Sequence, residues 1–478
     1  MNIEKIHTKD ISQQMDEWLS PVADCVSSFI FYSVDLNGVS LPIILIWLMA
    51  GSIFFTIYFR FINVRYFFRA LYVLLGRDTK PGKATGEVSH FQALTAALSG
   101  TVGLGNIAGV GIAIATGGPG ATFWMIVAGF LGMSSKFVEC TLAVKYRKVH
   151  ANGSISGGPM YYLSKGFEMR GYKKWGKTLA ILFSIMCVGG SIGGGNMFQS
   201  NQAVRQIVTI CHLEQSNNAS LWLGILVAFL VGVVIIGGIK TIARVTDKLV
   251  PFMCVIYLFM ACCVLLNHHE ALIPSLKLIC VQAFTGEAVS GGVAGVIIAG
   301  LRRACFSNEA GIGSAPIAHA TAKTDNPLNE GFVSLLEPFI DTVIVCTATA
   351  LMIIVSGAYE HTEKTGIELT SHAVSHTAVW LSYLLAAIVF FFAYSTIISW
   401  SYYGLKAWTY ITGDSYLSRL IYKSFFCALI PCGAVMQLES VINFSDAMIF
   451  AMALPNMVAL YVLAGEVKSD LRRYEDNL

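Results

Sequence analysis

Five glycines crowd residues 98 to 116, Leu-Ser-Gly-Thr-Val-Gly-Leu-Gly-Asn-Ile-Ala-Gly-Val-Gly-Ile-Ala-Ile-Ala-Thr, inside an apolar stretch. Gly100, Gly103, Gly105, Gly109 and Gly111 each cost a helix interior about 1 kcal/mol relative to alanine, so the spacing predicts a helix that unwinds partway. In a bilayer an unwound turn survives only where protein or a water-filled cavity satisfies its N–H and C=O groups. Such a break offers bare carbonyls to a cation and a half-helix N-terminus to an anion. A second stretch repeats the pattern: Asn106-Ile-Ala108-Gly109-Val-Gly111 matches Asn308-Glu-Ala310-Gly311-Ile-Gly313. Close packing through small residues would explain the glycines alone, but not Asn and Glu at mid-membrane depth. A site for a small zwitterion explains both.

The elements that must hold these breaks are membrane helices. Of 478 residues, 55% are hydrophobic and 13% charged, and the mean hydropathy is +0.64. A soluble protein carries about 25% charged residues, so the composition reads as a polytopic membrane protein. The net charge of +3 is small. Twelve cysteines lie scattered, mostly in apolar segments such as Cys254, Cys262 and Cys263, and read as small buried hydrophobes without metal-ligand spacing. No HExxH, GxSxG, Walker-type loop or paired metal ligands occur, so no enzyme, cofactor or nucleic-acid partner is expected. A channel filter would need rings of repeated ligands from several subunits, whereas each break here occurs once. The first apolar run starts near Leu41, after a polar, partly acidic leader without signal-peptide character.

A span needs about 20 apolar residues, and eleven segments qualify. They are roughly Leu41 to Phe59, His90 to Thr116, Phe123 to Tyr146, Leu179 to Ile210, Leu221 to Gly238, Leu249 to Leu266, Val289 to Ala320, Phe332 to Ser356, Val379 to Tyr403, Ile421 to Val435 and Ala447 to Ala464. The fourth is interrupted by Gly189, Gly190, Gly193, Gly194 and Gly195, and the seventh breaks around Ser307 to Ser314. Basic loops fall on alternate connections: Arg60, Arg65, Arg69 and Arg77, then Lys145 to Lys177, then Lys240, Arg244 and Lys248, then Lys468, Arg472 and Arg473. Intervening connections are short or acidic, with Glu270, Glu360 and Glu368. The positive-inside rule then places the N-terminus outside and the C-terminus in the cytoplasm. Because the breaks lie five spans apart, the two halves cross in opposite directions, as in an inverted-repeat transporter with its site at the midplane. The expected organisation is a leader over 1–40, a leading helix over 41–62, five-helix repeats over 88–268 and 285–465, and a tail over 466–478. A short interfacial helix is expected around Ile11 to Trp18.

Gly117-Gly118-Pro-Gly-Ala-Thr-Phe123-Trp124-Met125-Ile-Val-Ala-Gly-Phe-Leu-Gly132 resembles the signature of the sodium:alanine (alanine or glycine:cation) symporter family. Ser307-Asn-Glu-Ala-Gly-Ile-Gly-Ser-Ala-Pro-Ile-Ala-His319, and Gly404 after Trp400-Ser-Tyr-Tyr, resemble it too. One departure is Ile126, where the family commonly has tryptophan, at a position expected to face lipid or neighbouring helices. The resemblance runs from about Gly82 to Ala464. It implies an all-α polytopic membrane protein of the neurotransmitter:sodium symporter type: a leading helix plus a five-plus-five inverted-repeat core with two broken helices. It implies import of alanine or glycine with sodium, the alternative being a proton-coupled amino-acid transporter of the same fold. The acidic leader and compact loops point to a bacterial inner membrane, and no oligomer is required.

Backbone N–H groups of Leu104 and Gly105, at the mouth of the re-formed half-helix, are expected to hold the carboxylate. Carbonyls freed around Thr101, Cys305, Phe306 and Ser307 are expected to face the ammonium. By resemblance, the fourth span contributes Asn196 or Gln199 and the ninth Trp400 as a wall, with Phe306 and Trp400 leaving room for a methyl group. Sodium wants hard oxygens. The hydroxyl of Thr396, with Ser395 or Ser399, and carbonyls of Ser99, Val102 and Ala393 make a site resembling that of the wider fold group. The alternative is a Thr396 hydroxyl bonded back to its own helix. Intramembrane charges need partners, so ion pairs are expected among Arg302, Arg303, Glu309, Lys136, Glu139, Glu337 and Asp341. Glu309 and His319 read as structural rather than as proton relays.

Overall fold

A computed structural model describes residues 21, 23–36, 39–77, 85–213, 218–285, 292–361 and 364–477. The expected interfacial helix near Ile11 to Trp18 lies outside them. A hairpin of β1 (Ser33–Leu36) and β2 (Val39–Pro42) leads into α1 (Ile43–Tyr58). This helix lies along α4 (Ala121–Lys145), where the Ser52 and Ser135 hydroxyls are 3.1 Å apart and Thr56 donates to Ser134 at 3.0 Å. Such small hydroxyl residues let membrane helices approach and supply polar adhesion where lipid gives no hydrophobic drive.

The first broken span comprises α2 (His90–Thr101) and α3 (Ala108–Gly117), joined through a 3-10 turn at Leu104–Asn106 and bent by 57°. Ser89 caps α2 by accepting from the Gln92 N–H while Gln92 returns the bond to the Ser89 N–H, a capping box that fixes its start. The next long rod, α5 (Lys173–Ile192) and α6 (Phe198–Ile210), is continuous through a π-helical turn at Gly193–Met197. The interruption expected there is therefore a widened turn. Its glycines admit neighbours that side chains would exclude: a Cβ on Gly195 would collide with Trp400, and one on Gly194 with Ile449.

The remaining rods are α7 (Ala219–Ile235), α8 (Gly238–Asn267), α9 (His269–Thr285) and α10 (Gly292–Asn308). After α10 the chain unwinds at Glu309, Gly311 and Gly313, with φ of 54°, 84° and 95°. It re-forms only one helical turn, Pro316–His319. Helix α11 (Pro327–Ser334) continues through Leu336–Pro338 and a π-helical stretch, Phe339–Cys346, into α12 (Thr347–Val355). Then follow α13 (Ile367–Ser375), α14 (Val379–Thr412), α15 (Tyr416–Val435) and α16 (Leu438–Glu475). Among the described residues seven helices are long and apolar enough to cross a membrane, or eight counting the bent pair, while α1 and α7 are shorter apolar helices. The segment beyond residue 466 is no loose tail. It extends α16 to Glu475, held by Lys145–Asp470 at 2.5 Å, Arg170–Glu466 at 3.1 Å and Arg65–Glu475 at 2.8 Å.

Candidate substrate and cation site

The two breaks meet at one carboxylate. Asn106 turns its side-chain oxygen to the Gly103 N–H at 2.9 Å, satisfying a donor freed by the unwinding. Its amide nitrogen donates to Asp341 Oδ1 at 2.6 Å and to the Asp341 carbonyl at 3.0 Å. From the second break, Ser307 donates to Asp341 Oδ2 at 2.8 Å, and Asn308 donates to the adjacent Thr342 Oγ1 at 3.1 Å. Thr342 itself donates to Asp341 Oδ2 at 2.7 Å. The matching asparagines of the two sequence motifs thus converge on consecutive residues of the π-helical stretch. Asp341 is fully buried, and these side-chain partners carry no positive charge.

Around the first break, Val102 leaves helical geometry with ψ of 85°, and the Gly103 backbone is extended. A Cβ on Gly105 would lie 3.5 Å from the Phe306 ring and 3.6 Å from Ser307 Cα, so Phe306 and Ser307 border the unwound turn. The Leu104 N–H donates to Gln199 Oε1 at 3.1 Å, while Gln199 Nε2 donates to the Gly194 carbonyl at 2.9 Å. The expected carboxylate donor is thus held by the chain's own amide. Asn196 turns elsewhere: its nitrogen donates to the Phe426 carbonyl of α15 at 2.7 Å. Cys305 needs a correction. Because α10 stays helical to Asn308, the Cys305 carbonyl accepts from the Glu309 N–H at 3.1 Å and is not freed. Thr101 Oγ1 bonds back to carbonyls of its own helix, at 3.4 Å to Ala97 and Leu98. Trp400 donates to the Gly100 carbonyl at 3.2 Å from the opposite wall, and its ring flanks the glycine face of the π turn.

The expected sodium ligands meet where α2 touches α14. Ser99 Oγ donates to the Ser395 carbonyl at 2.7 Å, and Ser399 Oγ donates to Ser99 Oγ at 2.9 Å. Thr396 Oγ1 is buried beside Gly103 and has no hydrogen-bond partner among the described residues. It does not bond back to its own helix. An orphaned buried hydroxyl costs about 1–3 kcal/mol, a deficit that a cation with oxygen preference would remove. Val102 and Ala393 are buried as well.

The buried charges are also assigned. Arg302 pairs with Asp446 of α16 at 2.8 Å, and Arg303 binds the same carboxylate. Phe31, from the segment before α1, covers Arg302 with its ring 4.3 Å away. Deeper in the molecule, Lys136 meets Glu337 at 3.1 Å, His319 bonds Glu330 at 2.7 Å, and His90 meets the other Glu330 oxygen. Glu139 accepts from Asn456 at 2.7 Å, and Glu309 accepts from Ser314. These side chains tie α2, α4, α11 and α16 together around the segment that follows α10. His319 is buried between two glutamates, Glu330 and Glu337. Sequence reasoning missed the role of Asp341. The usable signal was a carboxylate in Phe339-Ile-Asp341-Thr-Val-Ile with no basic residue three or four places away.

Two helix breaks sharing a buried carboxylate, in a chain whose described residues hold seven other helices long and apolar enough to cross a membrane, fit a multi-pass secondary transporter of the broken-helix class. The profile of the sodium:alanine symporter family matches residues 27–478, and the chain belongs to that family, whose members are transporters rather than enzymes. It therefore performs amino-acid:cation symport. "Sodium/alanine symporter AgcS" of Methanococcus maripaludis is 37% identical over 439 residues, 91% of this chain and 94% of that protein. "Probable sodium/glutamine symporter GlnT" of Bacillus subtilis is 33% identical over 434 residues, covering 90% of this chain and 87% of that one. In fold, the chain resembles MhsT, solved in complex with L-phenylalanine, with a TM-score of 0.54 at 15% identity over 80% of this chain and 89% of that one.

Proposed function

We propose that the protein imports alanine or glycine with sodium by alternating access across a bacterial inner membrane, N-terminus outside. In this reading eleven spans form a leading helix and two inverted five-helix repeats, over 88–268 and 285–465. The substrate lies at the first break between Phe306 and Trp400, with its carboxylate at Leu104 and Gly105 and polar support from Thr101, Gln199 and Ser307. Sodium binds among Thr396, Ser99, Ser399 and the carbonyls of Val102 and Ala393. The observation that carries this reading is the unpartnered Thr396 hydroxyl beside Gly103. It stands where an ion would link the broken helix to α14, and so couple ion occupancy to the shape of the break. The named sodium/alanine relative supports the choice of ion and substrate. The test is radiolabelled alanine and glycine uptake into proteoliposomes with sodium, or with choline in its place. Uptake that needs sodium supports the reading; equal uptake in choline refutes it. Asp341 favours proton coupling as the second reading, since a buried carboxylate whose side-chain partners among the described residues are all uncharged is a natural proton acceptor. Uptake that follows a pH gradient in choline would select it.

A further inference from the structure

Away from the substrate site, three imidazoles gather on the connection between α12 and α14. His361 follows a single 3-10 turn, Ala358–Glu360, and His372 and His376 stand four residues apart at the end of α13. Four-residue spacing puts both on one helix face. The His361 and His372 ring centroids are 4.3 Å apart, those of His372 and His376 4.4 Å, and the Nε2 atoms of His372 and His376 face each other at 3.1 Å. His361 and His376 are exposed to solvent.

That last distance is informative. With metal–nitrogen bonds of about 2.0–2.1 Å, two imidazole nitrogens on one ion stand about 3.3–3.4 Å apart at a tetrahedral angle and about 2.9 Å apart at a right angle. The observed separation falls between them, so little side-chain movement admits an ion. Among the described residues no three His, Cys, Asp or Glu side chains form a ready-made metal set. An ion there would be held by two protein nitrogens, with the His361 ring beside them as the next nearest imidazole. Imidazole-only donors select late first-row divalent ions such as Zn2+ and Cu2+ over Mg2+ or Ca2+.

We propose that His372 and His376, joined by His361, form a Zn2+-class metal site that acts as a brake on transport. A mechanical link connects this segment to the first break. Helix α13 donates from Thr370 Oγ1 to the Ile107 carbonyl of the first break at 3.3 Å, and its Glu368 pairs with Arg205 of α6 at 2.6 Å. An ion joining the turn after α12 to α13 would stiffen a segment that holds both the broken helix and α6.

Isothermal titration of ZnCl2 into the purified full-length protein tests the site without reference to transport, so its failure is distinct from failure of the proposed function. Expected is one ion per chain, with affinity weakened about tenfold or more in His372→Ala and in His376→Ala, and less in His361→Ala. His376→Ala, at an exposed helix end, should keep the wild-type thermal midpoint without metal and so exclude misfolding as the cause. Zn2+ should slow uptake in the wild type and not in His376→Ala. The proposal is overturned by absence of Zn2+ binding, by unchanged affinity in the His372→Ala/His376→Ala double variant, by binding lost instead in His268→Ala/His269→Ala, or by equal slowing in His376→Ala.

Discussion

The Thr396 hydroxyl has no protein acceptor or donor among the described residues, and a valine of the same shape would remove only that oxygen. Thr396→Val should therefore abolish sodium-dependent uptake while leaving the thermal midpoint near that of the wild type. Retained sodium dependence in proteoliposomes would contradict the site. Trp400 is buried and spans from Gly195 to the Gly100 carbonyl. Trp400→Ala should admit bulkier amino acids, read as stronger inhibition of labelled alanine uptake by larger competitors, and unchanged selectivity would count against it. Both positions were named through the family resemblance, because on the residues alone a membrane threonine is equally well explained by a bond back to its own helix. Asp341 was harder to place. Its partners Asn106 and Ser307 lie 235 and 34 residues away, and its orientation depends on a π-helical register that single-chain periodicity does not reveal.

At the scale of elements, similar local sequence gives two different breaks. Asn106 is followed by a resumed ten-residue helix, α3. Asn308 is followed by left-handed Gly311 and Gly313, and Pro316 opens only one turn. Glycine count predicts that a helix loses regularity; it does not predict how many turns recover, because tertiary contacts decide which φ each glycine adopts. The fourth span shows the same limit, since its glycines widen a continuous rod instead of interrupting it. Gly195→Ala should strike the Trp400 side chain and push the π turn away from the wall. Overpacking of this kind costs about 1–3 kcal/mol, so both the thermal midpoint and alanine uptake should fall, while an alanine variant with normal uptake would show that the turn yields freely.

For the whole molecule, two ion-pair clusters stand out among the described residues, apart from Asp341 between the breaks. Arg302 and Arg303 clasp Asp446 beneath Phe31, and a deeper network joins Lys136, Glu337, His319, Glu330 and His90. Sequence reading named most of these residues but not their partners, which lie from 11 to 240 positions away. Breaking one member of a buried pair costs about 3–5 kcal/mol, whereas replacing both by apolar residues is often neutral. Lys136→Met should therefore lower the unfolding midpoint in detergent markedly, and Lys136→Met/Glu337→Leu should recover much of the loss. Equal instability in both variants would mean that packing, not charge balance, holds these helices together.

Gln199 leaves its own mark on turnover. Its amide oxygen occupies the Leu104 N–H and its nitrogen anchors at Gly194, so under the proposed binding mode a carboxylate arriving at Leu104 would trade places with a resident understudy. Binding then yields only the difference between two hydrogen bonds, and departure is eased because the vacated donor is reclaimed at once. A carrier that must let go of its cargo on every cycle profits from so shallow a grip.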